Sequence, residues 1–211
     1  MIKEIKVIDK KIKDILLFEE VKNVKKLNIL FGGNGVGKTT FLQAIRDGKI
    51  ELCCDKKLHI LSYTNSIDNA KINRKKELVT SRDFVKAYNV NHYSEGQSII
   101  HYILSFLHDI KEIETDKQIV VLLDEMDSGL SAENINMLLW QIKELMDHQH
   151  VQFFISTNHY HFVHVVKEVL NLYNGTYQRI ESYEKYFELL NDGIQVMNNS
   201  LKREFDFLNV Y

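Results

Sequence analysis

The stretch Gly32-Gly33-Asn34-Gly35-Val36-Gly37-Lys38-Thr39 constrains this chain more than any other. It follows the apolar run Leu27–Phe31 and precedes the helix-like segment Thr40–Arg46, so it stands where a strand turns into a helix. Glycines at this spacing let successive backbone N–H groups converge on an oxyanion with no Cβ in the way, and the helix that follows turns the positive end of its dipole to the same point. Lys38 can then reach the β and γ phosphates of a nucleotide, the Thr39 hydroxyl can ligate Mg²⁺, and Thr40 lies beside them at the helix start. The stretch is a phosphate-binding loop, and it predicts an α/β fold in which that loop opens at the edge of a sheet.

The rest of the chain is compatible with that expectation. Its 211 residues, 45% hydrophobic and 27% charged, suffice for one good core. No Pro-, Gly- or Ser-rich stretch divides them, so a single domain over 1–211 is expected, with a small helical lobe at about 66–110. The longest apolar runs are far too short to span a bilayer, and the opening Met1-Ile2-Lys3-Glu4 is charged, which predicts a soluble, cytoplasmic protein. Cys53 and Cys54 are adjacent, a spacing suited to packing in a reducing compartment rather than to a disulfide. A net charge of −2 gives no bulk attraction to nucleic acid and leaves a local basic face open.

Residues 2–8 and 15–21 suggest a short antiparallel sheet around a Lys/Asp turn, feeding the buried strand 27–31. Gly48 is a plausible end for the helix after the loop, and Leu58–Tyr63 suggests another strand. Residues 66–92 are mostly polar, with Lys71, Arg74, Lys75, Lys76 and Glu77 close together, a cluster that suits a solvated face better than a nucleic-acid site. Ser98–Ile110 has the periodicity of an amphipathic helix, and the all-apolar Ile119–Leu123 suits a strand covered on both faces. Helix Asn134–Met146, strand Gln152–Ser156 and helix Phe162–Leu170 continue an alternating β/α series. Near the end, Tyr186–Leu190 and Ile194–Val196 flank Asn191-Asp192-Gly193, an Asp-Gly step that predicts a tight hairpin.

Three further features carry chemistry. Strand 119–123 runs into Asp124-Glu125, which places two carboxylates at the sheet edge where the phosphate loop opens, the arrangement known as Walker B. Asp124 is positioned to hold a Mg²⁺ shell and Glu125 to orient or deprotonate an attacking water. Ser94-Glu95-Gly96-Gln97 precedes the amphipathic helix, where a Ser N-cap and free N–H groups make an anion site. His159, His161 and His164 suggest metal ligands at first sight, but His161 and His164 have no Cys or acidic partners nearby.

In order and spacing, the loop, the Ser94–Gln97 segment and Asp124-Glu125 resemble the motifs of the ATP-binding-cassette ATPases, P-loop NTPases with an LSGGQ-like signature between the two nucleotide motifs. The resemblance covers almost the whole chain. It implies a mainly parallel sheet flanked by helices, an N-terminal antiparallel β subdomain, and a terminal β-hairpin at 186–196. It further implies that Ser128, Gly129 and Leu130, with Ser131, form a D-loop and that His159 is the switch histidine contacting the γ-phosphate. Ser62 or Asn65 would stand in for the Q-loop glutamine, and Phe18 is either an adenine platform or a core aromatic.

What the resemblance implies about function is binding and hydrolysis of ATP with Mg²⁺. Two copies would form a homodimer with ATP sandwiched between them, Ser94, Glu95, Gly96 and Gln97 of one copy completing the phosphate shell of the other. Met126 stands where transporter subunits usually carry Pro, Ser131 stands where the D-loop normally ends in Asp, and no Arg follows the signature. These details look most like compact stand-alone members related to the RecF and structural-maintenance-of-chromosomes group, and a role in DNA maintenance or defence follows by analogy. The alternatives are the ATPase subunit of a transporter with a separate permease and a nucleotide-dependent regulatory module with negligible turnover. The partner, protein or nucleic acid, is not named by any of these residues.

Overall fold

The computed structural model describes residues 1–64, 95–148 and 150–208, with the side chains of 95–98, 148 and 199–208 excepted. The chain opens with β1 (Ile2–Lys6), a single helical turn α1 (Lys10–Lys13), β2 (Glu20–Lys22), β3 (Leu27–Phe31) and α2 (Lys38–Arg46). Next come β4 (Glu51–Cys54), β5 (Leu58–Thr64), α3 (Glu95–Lys111), β6 (Gln118–Asp124) and α4 (Ala132–His148). The described residues end with β7 (Val151–Ser156), α5 (Tyr160–Val166), β8 (Glu168–Asn171), β9 (Thr176–Arg179) and α6 (Tyr183–Leu208).

Two sheets form. A three-stranded antiparallel sheet has the order β2-β1-β4, and a six-stranded sheet has the order β5-β6-β7-β3-β8-β9. In the larger sheet, β5 through β8 are parallel along that order and only β9 runs antiparallel, against β8. Every residue of β6 and β7 is buried, which explains why both strands are near-continuous apolar runs instead of alternating ones. Gln152 is a polar residue inside β7 and has a distinct task. Its side chain accepts from the Ile2 N–H at 2.9 Å and donates to the carbonyls of Ile2 and Lys25, at 3.0 and 2.7 Å, so it fastens the smaller sheet to the larger one. An edge-to-face series of rings, Phe18 on Phe41 and Phe41 on Phe154, joins the first loop, α2 and the sheet in one core.

The α/β class, the parallel sheet and the antiparallel subdomain are as the sequence predicts; the helix 38–46 is capped by Asp47, and the expected Gly48 follows one residue later with a left-handed backbone (φ +66°) and its N–H on the Ile45 carbonyl. Several elements differ. The Lys/Asp turn is a helical turn N-capped by the Asp9 carboxylate, which accepts from the Ile12 N–H at 3.1 Å. Strand β4 pairs with β1 and brings Cys53 and Cys54 into the smaller sheet, a strand the sequence reading passed over. The helix expected over 162–170 spans only Tyr160–Val166, because Lys167 adopts a left-handed conformation (φ +63°) and the chain goes straight into β8.

The largest correction concerns the C-terminal region. Residues 186–196 are not a hairpin but lie inside α6, and the hairpin is formed earlier by β8 and β9 around Asn174-Gly175. The Asp192-Gly193 step misled because Gly193 has a packing cause: a Cβ built there would lie 1.9 Å from the Tyr173 ring, so only glycine lets the helix pass over that ring. Of the helical lobe expected at about 66–110, residues 95–110 are described and lie in α3; the remainder, with Asn65 and Ser94, lies outside the described residues.

Candidate functional site

Strands β6, β7 and β3 are neighbours, so three chain segments leave the larger sheet side by side at its C-terminal edge. The phosphate loop leaves β3, Asp124-Glu125 leaves β6, and Ser156 through His159 leaves β7. This is the edge at which open α/β sheets bind ligands.

The loop begins from strand residue Phe31, and α2 begins within it at Lys38. Gly35 and Gly37 have φ of +84° and +95°, a positive-φ backbone that glycine adopts freely; at Gly37 a Cβ would also strike the Leu16 side chain at 2.9 Å. Lys38 is buried, and its ammonium donates to the loop's own carbonyls, Gly32 O at 2.7 Å and Gly33 O at 3.1 Å. Burial lowers the Lys38 pKa, opposed by the negative charges of Glu125, Asp124 and Asp127. The ammonium is therefore held inside the loop by two of the loop's own carbonyls.

Around Asp124 a compact hydrogen-bond cluster forms. The buried carboxylate oxygen Oδ1 accepts from the Thr39 hydroxyl at 3.2 Å and from the Ser156 hydroxyl at 2.5 Å. The Ser156 oxygen in turn accepts from the Glu125 backbone N–H at 2.9 Å. Glu125 itself is exposed and holds a left-handed backbone (φ +50°), a conformation that costs a non-glycine residue about 1 kcal/mol and that surrounding contacts must hold in place. Thr39 and Asp124 are hard oxygen donors beside a phosphate loop, a donor set that fits Mg²⁺ with most of its water shell kept.

Next to Glu125 an open cavity of about 380 Å³ is lined by Glu125, Asp127, Ser128, Gly129, Leu130 and His159, among others. The expected D-loop residues Ser128, Gly129 and Leu130 and the expected switch histidine thus face the same space as the expected base. His159 caps α5: its Nδ1 accepts from the His161 N–H at 3.3 Å, which leaves the proton of the neutral ring on Nε2. His161 bonds Asn136 Oδ1 at 3.0 Å, and His164 lies against Tyr160, so neither joins His159 around a common centre.

Of the other expected site residues, Glu95, Gly96 and Gln97 form the first turn of α3, and Ile99, two residues further along, abuts Gly129, so that turn starts close to the expected D-loop segment. Ser94 lies outside the described residues. Phe18 is buried against Phe41 and belongs to the core. Ser62 lines a small crevice with Arg46, Thr64 and Asp124.

Three participants escaped the sequence reading. Asp127 is buried and its carboxylate accepts from the Thr157 hydroxyl, which itself accepts from the His159 N–H at 2.9 Å. Ser156 is the third. The available signal was two hydroxyl residues ending a buried strand, opposite carboxylates ending its neighbour. Helix α6 also reaches the site: the Tyr173 hydroxyl under Gly193 accepts from the Gly33 N–H at 2.8 Å, and the Met197 methyl lies 3.6 Å from where a Gly35 Cβ would stand.

No protein-family model matches the chain, and no curated protein matches it. Among solved structures it is similar to a nucleotide-free ATP-binding cassette from an ABC transporter, with a TM-score of 0.55 at 14% identity over 93% of this chain and 98% of that one. It is also similar to an ATP-binding cassette of an ABC transporter in its ADP conformation, with a TM-score of 0.54 at 16% identity over 93% and 98% of the two chains. Identities this low establish likeness of architecture. The chain has the fold of an ATP-binding cassette.

Proposed function

We propose that this chain is an ATP hydrolase of the cassette type, working as a dimer that closes around two nucleotides. The observation that carries the proposal is the Thr39–Asp124 hydrogen bond, because it joins the phosphate loop to the carboxylate strand at the one place where a nucleotide-bound cation needs both. Lys38 exchanges the carbonyls of Gly32 and Gly33 for β- and γ-phosphate oxygens, and the N–H groups of residues 34–40 surround the same phosphates. Thr39 and Asp124 would hold Mg²⁺, which would supply neutralisation of the negative charge on the phosphates. Glu125, exposed at the cavity wall, orients and deprotonates the attacking water, and His159 offers its Nε2–H to the γ-phosphate. Ser94, Glu95, Gly96 and Gln97 of a second copy complete the shell, with Ser128, Gly129 and Leu130 lining the approach. Differential affinity of the closed dimer for ATP over ADP is then the free energy available for work on a partner.

Two settings fit such a switch. The departures at Met126 and Ser131 support a cytoplasmic motor in DNA maintenance or defence, while the cassettes of similar fold come from transporters, which supports a subunit docking on a separate permease. Among the described residues no helix is long and apolar enough to cross a membrane. Stimulation of turnover by DNA favours the first setting, and co-purification with a membrane protein favours the second.

The central test is Glu125→Gln. This variant should bind ATP as the parent does and lose about 10²–10⁴-fold in turnover, the range for removal of a general base. With ATP and Mg²⁺ it should sediment as a larger species than with ADP. Parent-like hydrolysis in Glu125→Gln refutes the assignment of the base, and an unchanged sedimentation coefficient refutes the ATP-closed dimer.

A further inference from the structure

We propose that Ser156 is a positioning residue that couples the cation-binding carboxylate to the backbone of Glu125. This inference rests on the function just proposed. A serine hydroxyl has one proton and two lone pairs. Here the proton goes to Asp124 Oδ1 at 2.5 Å and a lone pair receives the Glu125 N–H at 2.9 Å, so both capacities serve two consecutive residues of the neighbouring strand's exit. Donation to a charged carboxylate strengthens the oxygen as an acceptor, which makes the two bonds mutually reinforcing.

The geometry gives this pair of bonds a purpose. Glu125 is one of three non-glycine residues with positive φ among the described residues, and it is the one at the cavity wall. The left-handed backbone takes the chain out of the strand at Glu125, and the Ser156 oxygen is what satisfies its N–H in that conformation. Asp124 Oδ1 is also the acceptor for Thr39. One carboxylate oxygen therefore joins the exits of β6 and β7 to the start of α2, and a single hydroxyl links the Asp124 carboxylate to the Glu125 N–H in addition to the chain itself. Ser156 is wholly buried, so in this fold the Glu125 N–H is served by this hydroxyl and not by bulk solvent. An outer-shell partner of this kind is worth about 10–100-fold in metal affinity or activity.

The test compares Ser156→Ala and Ser156→Thr with the parent by two readouts: the ratio of ADP dissociation constants without and with Mg²⁺, and kcat against KM for ATP. Ser156→Ala should lower the Mg²⁺-dependent gain in ADP affinity by about tenfold and kcat by about 10–100-fold, with nucleotide affinity in EDTA within about threefold of the parent. Ser156→Thr keeps the hydroxyl and should restore both. If Ser156→Ala does not fold, Ser156→Cys, a weak donor of similar size, should show the same two losses in smaller measure. The proposal is overturned if the hydroxyl-free variant keeps both quantities within about twofold, or if Ser156→Thr is as impaired as Ser156→Ala, since a packing role predicts no rescue. A parent without turnover refutes the hydrolase reading, and the Mg²⁺ ratio with ADP then still decides the role of Ser156.

Discussion

Replacing Gly193 by Ala sets two physical effects of opposite sign against each other. In an ordinary helix interior the change stabilises, by about 1 kcal/mol, through helix propensity. At this position the new Cβ would stand 1.9 Å from Cε2, 2.1 Å from Cζ and 2.3 Å from Cδ2 of the Tyr173 ring. Carbon atoms rest at about 3.5–4.0 Å, so α6 or the ring must move by about 1.5 Å. Tyr173 is 6% exposed and its hydroxyl is tied to the Gly33 N–H, so the ring has little room to yield. Overpacking of this kind costs about 1–3 kcal/mol, and losing the Tyr173–Gly33 bond adds about 1 kcal/mol. The propensity gain offsets one of these contributions, leaving a net destabilisation of about 1–3 kcal/mol. Urea unfolding followed by circular dichroism measures it, and hydrogen exchange should show faster exchange in α6 and at Gly33. In a double-mutant cycle, adding Tyr173→Ala should make the Gly193→Ala step stabilising, because the obstacle is gone. A Gly193→Ala protein as stable as its parent, or more so, refutes the claim that glycine is there for the ring.

Two more outcomes follow from the site and the sheet. Lys38→Ala removes a charge-assisted donor facing the phosphates, so ATP affinity by titration calorimetry should fall at least about tenfold, and an unchanged affinity means the loop does not hold phosphate as argued. Burial pushes the Tyr177 phenol up to about 12, with the Lys25 N–H bond opposing. A tyrosine raised in the folded state contributes stability that is complete below its unfolded pKa of about 10 and is lost between there and about 12, so Tyr177→Phe should flatten the alkaline fall of stability by about 2–3 kcal/mol across that window.

What the sequence disclosed follows the strength of its local signals. The phosphate loop and Asp124-Glu125 were legible because their chemistry demands particular residues at particular steps along the chain. The buried strands β6 and β7 were legible because burial on both faces leaves an unbroken apolar run. Gly193 was misread because a turn signal and a packing constraint use the same residue, and only the Tyr173 ring, brought in from the end of β8, tells them apart. The short strand β8 was absorbed into a helix because the break is made by Lys167, a residue with no special liking for a left-handed backbone. Ser156, Thr157 and Asp127 were passed over for a related reason: a hydroxyl at a strand end means little until the neighbouring strand supplies the carboxylate it serves.

The order β7-β3-β8 also governs how the chain must be assembled in time. Strand β3 carries the phosphate loop, yet its partners in the sheet come from far downstream, Leu27 beside Phe153 and Leu30 beside Leu170, while Ile2 waits for Gln152, 150 positions along. An emerging chain thus displays an unpaired apolar strand and a glycine loop with nothing to hold its curvature until β7 and β8 arrive. Such non-local pairing makes folding slow and leaves the early strands open to wrong partners meanwhile. The sheet edge that carries the phosphate loop is complete only once β7 and β8 have paired with β3.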